Sequence, residues 1–238
     1  MEKNEIKKWK IEVNNYLDFV NENLLKSNES KSLYYGFEVI DGKIIENPEF
    51  LFIGINPGAG NGEKHYKIKL ETERISYLDY FDNYYKYTLA KETVELLKLT
   101  GLSEEEVIFK LENNSVKTNL YHIITRQASE IKKCINQSEI SYDDYYNQSC
   151  KYCISLIKII KPKIIILEGK DVFNQIIEVC YEKKNQWNEE QNFGYYYSEF
   201  EDIHILSYKR SRFSDILNKE NLAVKLKQII KNKLNGTI

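Results

Sequence analysis

The sequence has few of the residues that mark secreted, fibrous or membrane proteins. Of its 238 residues only four are cysteine, three are proline and one is methionine. No run of about 18 uninterrupted apolar residues predicts a membrane span, and the first residues, MEKNEIKKWK, lack the apolar segment of a signal peptide. We therefore expect no membrane partner and a cytoplasmic location.

An excess of one charge is also absent. The 34 lysines and arginines nearly balance the 36 aspartates and glutamates, so the formal net charge is −2. Any nucleic-acid surface therefore has to be local. With 42% hydrophobic and 29% charged residues, the composition is that of a globular chain. Because no linker-like stretch interrupts it, we predict a single domain over residues 1–238, and we expect a monomer.

The cysteines and histidines give little support for a metal site. Cys150 and Cys153 have the C-x-x-C spacing of zinc, iron–sulfur or redox sites. Their surroundings, YNQSCKYCISLIKII, have the period of an amphipathic helix, in which cysteine is usually a small buried side chain. The three histidines are scattered and form no H-x-x-x-H pair. We expect no metal ion.

Apolar residues at three- and four-residue steps alternate with short, continuously apolar runs. This pattern predicts amphipathic helices between strands buried on both faces. The predicted helices span residues 5–26, 75–99, 142–160, 171–183 and 215–234, and the predicted strands span residues 50–55, 116–120, 163–168 and 203–207. This order predicts a three-layer α/β/α fold with a central, mostly parallel, four-stranded sheet.

Smaller elements are predicted by local signals. The Asp41-Gly42 pair lies between two extended runs, which predicts a β-hairpin over residues 33–46. Residues 1–48 would thus form a helix and a hairpin that precede the sheet. Ser103 opens a capping-box pattern, S-E-E-E, and predicts a short helix.

The most informative stretch is FLFIGINPGAGNG at residues 50–62. Its apolar start predicts a buried strand, which the following glycines, asparagine and proline end at the edge where α/β sheets bind ligands. Pro57 stiffens the turn, whereas Gly54 and Gly58 let backbone approach a ligand closely. Asn56 is the one polar side chain between them, and it both donates and accepts hydrogen bonds. We predict that the active site begins here.

Spacing excludes two nucleotide-binding loops. A Walker A loop needs Gly-Lys-Ser/Thr, but Gly62 is followed by Glu63, Lys64 and His65. A dinucleotide-binding loop needs G-x-G-x-x-G, but the glycines fall on every second position. We therefore expect no nucleotide cofactor, and an ATP- or NAD-dependent enzyme is disfavoured.

Four segments, in order along the chain, resemble the uracil-DNA glycosylase superfamily. They are the G-I-N-P-G loop at residues 54–58, the segment Thr118-Asn119-Leu120-Tyr121, the helix–Pro–strand–Gly element from Lys161 to Gly169, and the last strand and loop from Leu206 to Arg212. The first loop is most similar to the mismatch-specific and single-strand-selective branches. The four segments lie between residues 50 and about 215.

The resemblance implies a monofunctional DNA glycosylase without a cofactor. It would hydrolyse the N-glycosidic bond of uracil or of a modified pyrimidine in DNA and leave an abasic site. Asn56 would position the water that attacks C1′, and Asn119 would pair with the amide edge of the flipped base. Gly54, Ile55 and Gly58 would complete the base pocket.

Three positions of this predicted site have open alternatives. A tyrosine occupies the position of Gly58 in the strictly uracil-specific branch, so glycine leaves room for 5-substituted pyrimidines, including hypermodified bases of phage DNA. The role is then either repair or antiviral defence. Tyr66 is either a stacking platform for the base or a packed surface residue. His122 either donates to a base or phosphate or is structural.

The last motif departs from the superfamily, which usually has His-Pro-Ser or Asn-Pro-Ser where this chain reads SYKRSR. We predict that this loop contacts DNA, with basic residues on phosphates and the tyrosine as a wedge in the base stack. Its residues are Ser207, Tyr208, Lys209, Arg210, Ser211 and Arg212. The departure also favours an alternative function, a nucleic-acid-binding module of the same fold that has lost catalysis.

Overall fold

A computed structural model describes residues 2–60, 62–82, 88–183, 186–190, 192–209 and 217–235. Its helices are α1 (Glu2–Lys26), α2 (Asn28–Leu33), α3 (Thr88–Leu99), α4 (Glu104–Asn113), α5 (Ser129–Asn136), α6 (Tyr142–Ile160), α7 (Lys170–Tyr181) and α8 (Leu217–Asn235), with a 3-10 helix at Ser76–Tyr80. Its strands are β1 (Tyr34–Asp41), β2 (Phe50–Gly54), β3 (Ile68–Glu71), β4 (Ser115–Asn119), β5 (Ile123–Thr125), β6 (Ile164–Leu167), β7 (Trp187–Asn188), β8 (Phe193–Ser198) and β9 (Ile203–Tyr208).

The strands form one sheet in the order β3-β1-β4-β2-β6-β9-β8-β7, and β5 also pairs with β1. The four central strands, β4, β2, β6 and β9, are parallel to one another, whereas β4 and β9 pair antiparallel with their outer neighbours β1 and β8. They are the four strands predicted from the sequence, so the α/β class is confirmed. The predicted count of four is too low, because the described part of the chain contains nine strands. Some of the additional strands are short and not buried, such as β3, whose four residues are partly or fully exposed.

The predicted hairpin over residues 33–46 is wrong. Strand β1 pairs in parallel with β3 and antiparallel with β4 and β5. The chain after β1 instead bonds to the end of β3: the Gly42 N–H donates to Thr72 Oγ1 (2.6 Å) and the Ile44 N–H to Glu71 Oε1 (2.8 Å). Asp41-Gly42 is therefore a turn, but it leads the chain away from β1.

Helices cover both faces of the central strands, which gives three layers. Alternate residues of β2 and β6, such as Ile53 and Leu167, pack with α1, α6 and α7 in one apolar cluster. The intervening residues, such as Phe52 and Ile166, pack with α3, α4 and α8 in another. Burial on both faces explains why these strands are continuously apolar.

Several predicted elements have the expected bounds. The helix predicted at 142–160 is α6, which ends at Lys161 with φ of 50° before Pro162. Ser103 and Glu106 form the capping box of α4. The helix predicted at 75–99 is found in two parts, the 3-10 helix and α3, while residues 83–87 lie outside the described residues. Among the helices that are described, none is long and apolar enough to span a bilayer.

Candidate active site

The loop that follows β2 is fastened to β5 by the side chain of Asn56. Its amide nitrogen donates to Thr125 Oγ1 (3.0 Å) and to the Pro57 carbonyl (2.9 Å). The loop backbone adds a bond from the Ala59 N–H to the Thr125 carbonyl (3.1 Å). Because the nitrogen is held by the protein, the amide oxygen of Asn56 is the atom left to accept a hydrogen bond from a ligand. This partly exposed side chain has a defined orientation before any ligand binds.

Asn119 lies beside this loop, at the carboxyl end of β4. It is paired in register with Gly54, the last residue of β2. The side chain is 5% exposed, so a ligand that bound this amide would be largely withdrawn from water there. The two asparagines predicted from the sequence therefore lie at the same edge of the sheet, Asn56 in the loop after β2 and Asn119 at the end of the neighbouring strand β4.

Gly54 leaves the space that two polar side chains occupy. A Cβ on Gly54 would stand 2.4 Å from Asn119 Oδ1 and 3.0 Å from Glu168 Oε2. Real Cβ atoms do not come within 3.0 Å of another heavy atom, so any other residue would push the amide aside. Gly54 is thus required by packing at the candidate site, whereas the sequence predicted only a close backbone approach.

Glu168 is the residue that the sequence analysis missed. It follows β6 directly, its N–H donates to the Ile53 carbonyl (2.9 Å), and its side chain is 2% exposed. The available signal was an acidic residue immediately after the apolar run IIIL, at the same strand end as Asn56 and Asn119.

The side of the loop at Gly58 is open. Nothing lies within 4 Å of a Cβ built on Gly58, and the residue is exposed. Ile55, in contrast, packs partly buried against the core, and its carbonyl accepts from the Tyr121 N–H (2.9 Å). The loop therefore has one packed side and one open side.

Tyr66 packs against the protein. Its ring centroid lies 5.1 Å from that of Tyr34, and its hydroxyl donates to the Lys31 carbonyl (3.3 Å). Its φ of 51° turns the chain after the glycine-rich loop toward β3. This position corresponds to the packed alternative, and a role in stacking stays a prediction.

The predicted DNA-binding loop begins inside the sheet. Ser207 is buried and its hydroxyl donates to the Gly169 carbonyl (3.1 Å), while Tyr208 is 1% exposed in the core beneath α8. Neither side chain reaches the surface, so a wedge role does not fit the position of Tyr208. Lys209 is exposed. Arg210, Ser211 and Arg212 lie outside the described residues.

Two basic side chains that the sequence analysis did not single out flank the glycine-rich loop. Arg126 follows β5, and its Nε donates to the Tyr35 hydroxyl (2.6 Å). Lys64 Nζ lies 5.3 Å from the centroid of the same tyrosine ring and donates to the Ser32 carbonyl (2.6 Å). Both residues are exposed. The aromatic ring holds two positive charges near the loop that carries Asn56.

Of the three histidines, His122 has a buried ring, whereas the rings of His65 and His204 each contact a polar group. His122 is 2% exposed, and in the described part of the chain neither ring nitrogen has a hydrogen-bond partner. Burial lowers its pKa to about 4, so the ring is neutral at pH 7. His65 Nδ1 accepts from the Lys67 N–H (3.0 Å), and His204 Nδ1 contacts the Tyr195 hydroxyl (3.1 Å).

The cysteines of the C-x-x-C pair are buried in α6. Both Cys150 and Cys153 are 2% exposed, and burial raises the pKa of each thiol. Buried thiols of raised pKa are inert at neutral pH. The described residues contain no group of three or more histidine, cysteine, aspartate or glutamate side chains arranged to hold a metal ion.

Neither a protein-family model nor a curated protein matches this chain.

Proposed function

We propose that this protein is a monofunctional DNA glycosylase that removes uracil or a modified pyrimidine. The observation that carries the proposal is that Asn56, in the loop after β2, and Asn119, at the end of the adjacent parallel strand β4, lie at one edge of the sheet. Ligands of open α/β sheets bind at this edge. The GINPG and TNLY motifs supply the same two asparagines in the resembled superfamily.

The fixed orientation of Asn56 suits a water-positioning role. Its amide oxygen would accept a hydrogen bond from the water that attacks C1′ of the flipped nucleotide, on the face opposite the base. The glycosidic C–N bond breaks with its electron pair on the base, the water oxygen bonds to C1′, and the proton lost by the water balances the one gained by the base. An amide is a poor base, so its contribution is orientation.

A lysine nucleophile is not available in the loop that carries Asn56, because residues 54–62 include no lysine. Cleavage of the strand through a Schiff base would need such an amine. The expected product is therefore an intact strand with an abasic site. Alkaline treatment after the reaction would reveal that site as a strand break.

The surroundings also suit a flipped base and its phosphates. The nearly buried amide of Asn119 would pair with the amide edge of the base, and the open side at Gly58 would admit a substituent at C5. Lys64, Arg126 and Lys209 are exposed and suited to phosphate contacts. DNA is therefore the proposed partner.

The test is base release by the wild-type protein and by Asn56→Ala. Oligonucleotides carrying uracil, mismatched thymine, hydroxymethylcytosine or glucosylated hydroxymethylcytosine are incubated with protein and cleaved with alkali. We expect release from at least one of them, a loss of about 100-fold or more for Asn56→Ala, and similar DNA binding by both proteins. Asn113→Ala removes an exposed amide at the end of α4 and serves as the matched control.

The pattern of release also separates the biological roles. Release of uracil alone would indicate a repair enzyme. Release of a bulky base alone would indicate defence against modified phage DNA. The second candidate is a binding module without catalysis, which the absent His-Pro-Ser motif favours. DNA binding by wild type and Asn56→Ala with no release from any oligonucleotide would replace the glycosylase with that module.

A further inference from the structure

We infer that Glu168 and Asn119 form a base-reading pair that selects pyrimidines with an amino group at C4. The inference rests on the proposed glycosylase function and narrows its substrate class. It starts from one observation: Asn119 Oδ1 and Glu168 Oε2 both lie within 3.0 Å of the same point, the missing Cβ of Gly54. The amide and the carboxylate thus stand next to each other above the end of β2.

The sheet register explains why the two groups meet. Asn119 pairs with Gly54, and Leu167, the residue before Glu168, pairs with Ile53. Asn119, Gly54 and Glu168 are therefore neighbours in one row across β4, β2 and β6. This row closes the carboxyl edge of the sheet beside the Asn56 loop. Its two polar members are 5% and 2% exposed, so a ligand that reached them would be largely withdrawn from water.

The chemistry of the pair differs from that of an asparagine alone. An asparagine amide accepts and donates, so by itself it fits either a uracil-type or a cytosine-type edge. An ionised carboxylate only accepts hydrogen bonds. In its ionised form, Glu168 would suit the 4-amino group of a cytosine-type base, as carboxylates do when they accept from cytosine N4 in DNA grooves. The Asn119 N–H would then donate to N3 of the same base.

A uracil-type base presents the opposite pattern. Its C4 carbonyl would place a second acceptor against the Glu168 carboxylate, in a site with little water to screen the contact. Two facing acceptors disfavour such a base in this site. The expected preference for an amino over an oxo group at C4 is at least about tenfold. The space beside Gly58 is open and would admit a substituent at C5. A base with an amino group at C4 and a substituent at C5 therefore fits both this space and the Glu168–Asn119 pair.

The experiment uses two matched pairs of oligonucleotides that differ only at C4. In the first pair the target base is cytosine (4-amino) or uracil (4-oxo). In the second pair it is 5-hydroxymethylcytosine (4-amino) or 5-hydroxymethyluracil (4-oxo). Base release, as kcat/KM, is measured for the wild-type protein and for Glu168→Gln. Because the leaving groups are the same for both proteins, the change in the amino-to-oxo ratio isolates the effect of residue 168. Glu139→Gln, at an exposed glutamate between α5 and α6, is the matched control.

We expect the wild type to favour the amino member of at least one pair and Glu168→Gln to lower that ratio by about tenfold or more, since an amide also donates to an oxo group. Release of the oxo members as fast as the amino members would overturn the inference and leave the glycosylase intact. An unchanged ratio in Glu168→Gln that retains the wild-type melting temperature would overturn the role of Glu168. If no base were released from any oligonucleotide, both the proposed glycosylase function and the inference that rests on it would be overturned.

Discussion

The buried ring of His122 makes the stability of the protein depend on pH. Burial holds its pKa near 4, below the value of 6.5 that an exposed histidine has. Between these two pH values the unfolded chain binds a proton that the folded protein does not. The stability is therefore complete above pH 6.5 and declines as the pH falls toward 4, by roughly 3 kcal/mol. Below pH 4 this contribution no longer changes.

The prediction is tested with His122→Leu, which removes the titrating group and keeps an apolar side chain of similar size. The free energy of unfolding of wild type minus that of the variant, from urea titrations, should fall by roughly 3 kcal/mol between pH 7 and pH 4. His65→Leu, at a partly buried and hydrogen-bonded ring, should show a smaller change. A difference between wild type and His122→Leu that stays constant across this range would contradict the buried, neutral ring.

At the residue scale, sequence and structure agree where a residue follows a buried strand directly. Asn56 and Asn119 were found because polar residues after apolar runs collect at one edge of a parallel sheet. Glu168 obeys the same rule, because it directly follows the apolar strand β6. The contact between Glu168 and Asn119 depends on which strands are neighbours, and no local pattern contains that information.

The most consequential polar contact between elements joins β1, β4 and the 3-10 helix. Lys117 Nζ lies 2.6 Å from Asp41 Oδ2, and both side chains are under 10% exposed. Asp41 also accepts from the Ser76 N–H (2.8 Å) and from its hydroxyl (2.5 Å). The ring of Tyr77 lies 4.6 Å from the ammonium. Because the pair is buried, removal of one partner is expected to lower the free energy of unfolding strongly. The remaining partner would be a buried charge without a counter-charge.

Replacement of the lysine should therefore destabilise the protein more than its surface charge pairs do. Lys117→Met is expected to lower the free energy of unfolding by about 3 kcal/mol. In the double variant with Asp41→Asn, about 1 kcal/mol or more should return, since a neutral amide oxygen still accepts from Ser76. Urea titrations of single and double variants measure both effects.

A surface pair provides the control for this prediction. Lys91 and Glu95 are four residues apart on α3, and their side chains are 53% and 30% exposed. Lys91→Met should cost no more than about 0.5 kcal/mol. Equal losses for Lys91→Met and Lys117→Met would mean that the buried pair is no more important than a solvated one.

At the element scale, the predictions succeeded where burial alone determines the pattern. The strands β2 and β6 lie between two helical layers, so FLFIG and IIIL are apolar without a charged or polar interruption and easy to identify. The hairpin at β1 failed for a different reason. Asp41-Gly42 is a genuine turn signal, but the partners of β1 are strands more than 25 residues further along the chain. Their pairing is a property of the folded sheet.

On the scale of the whole molecule, DNA binding has to come from an uneven distribution of charge. The net charge of −2 provides no general attraction to a polyanion. The basic side chains that border the Asn56 loop, Lys64 and Arg126, are held on the ring of Tyr35. If they bind phosphates of the proposed substrate, each contact releases about one counterion, and affinity falls with salt accordingly.

The salt dependence of duplex binding therefore distinguishes these residues from lysines elsewhere. In a plot of log K against log salt concentration, Lys64→Ala and Arg126→Ala should each make the slope less negative by about 1. Lys163→Ala removes an exposed lysine just before β6, at the amino edge of the sheet and away from the Asn56 loop, and should leave the slope unchanged. If all three variants altered the slope equally, DNA would be attracted by scattered charge. A change confined to Lys64 and Arg126 would instead orient the duplex over the two asparagines, as base removal at this edge requires.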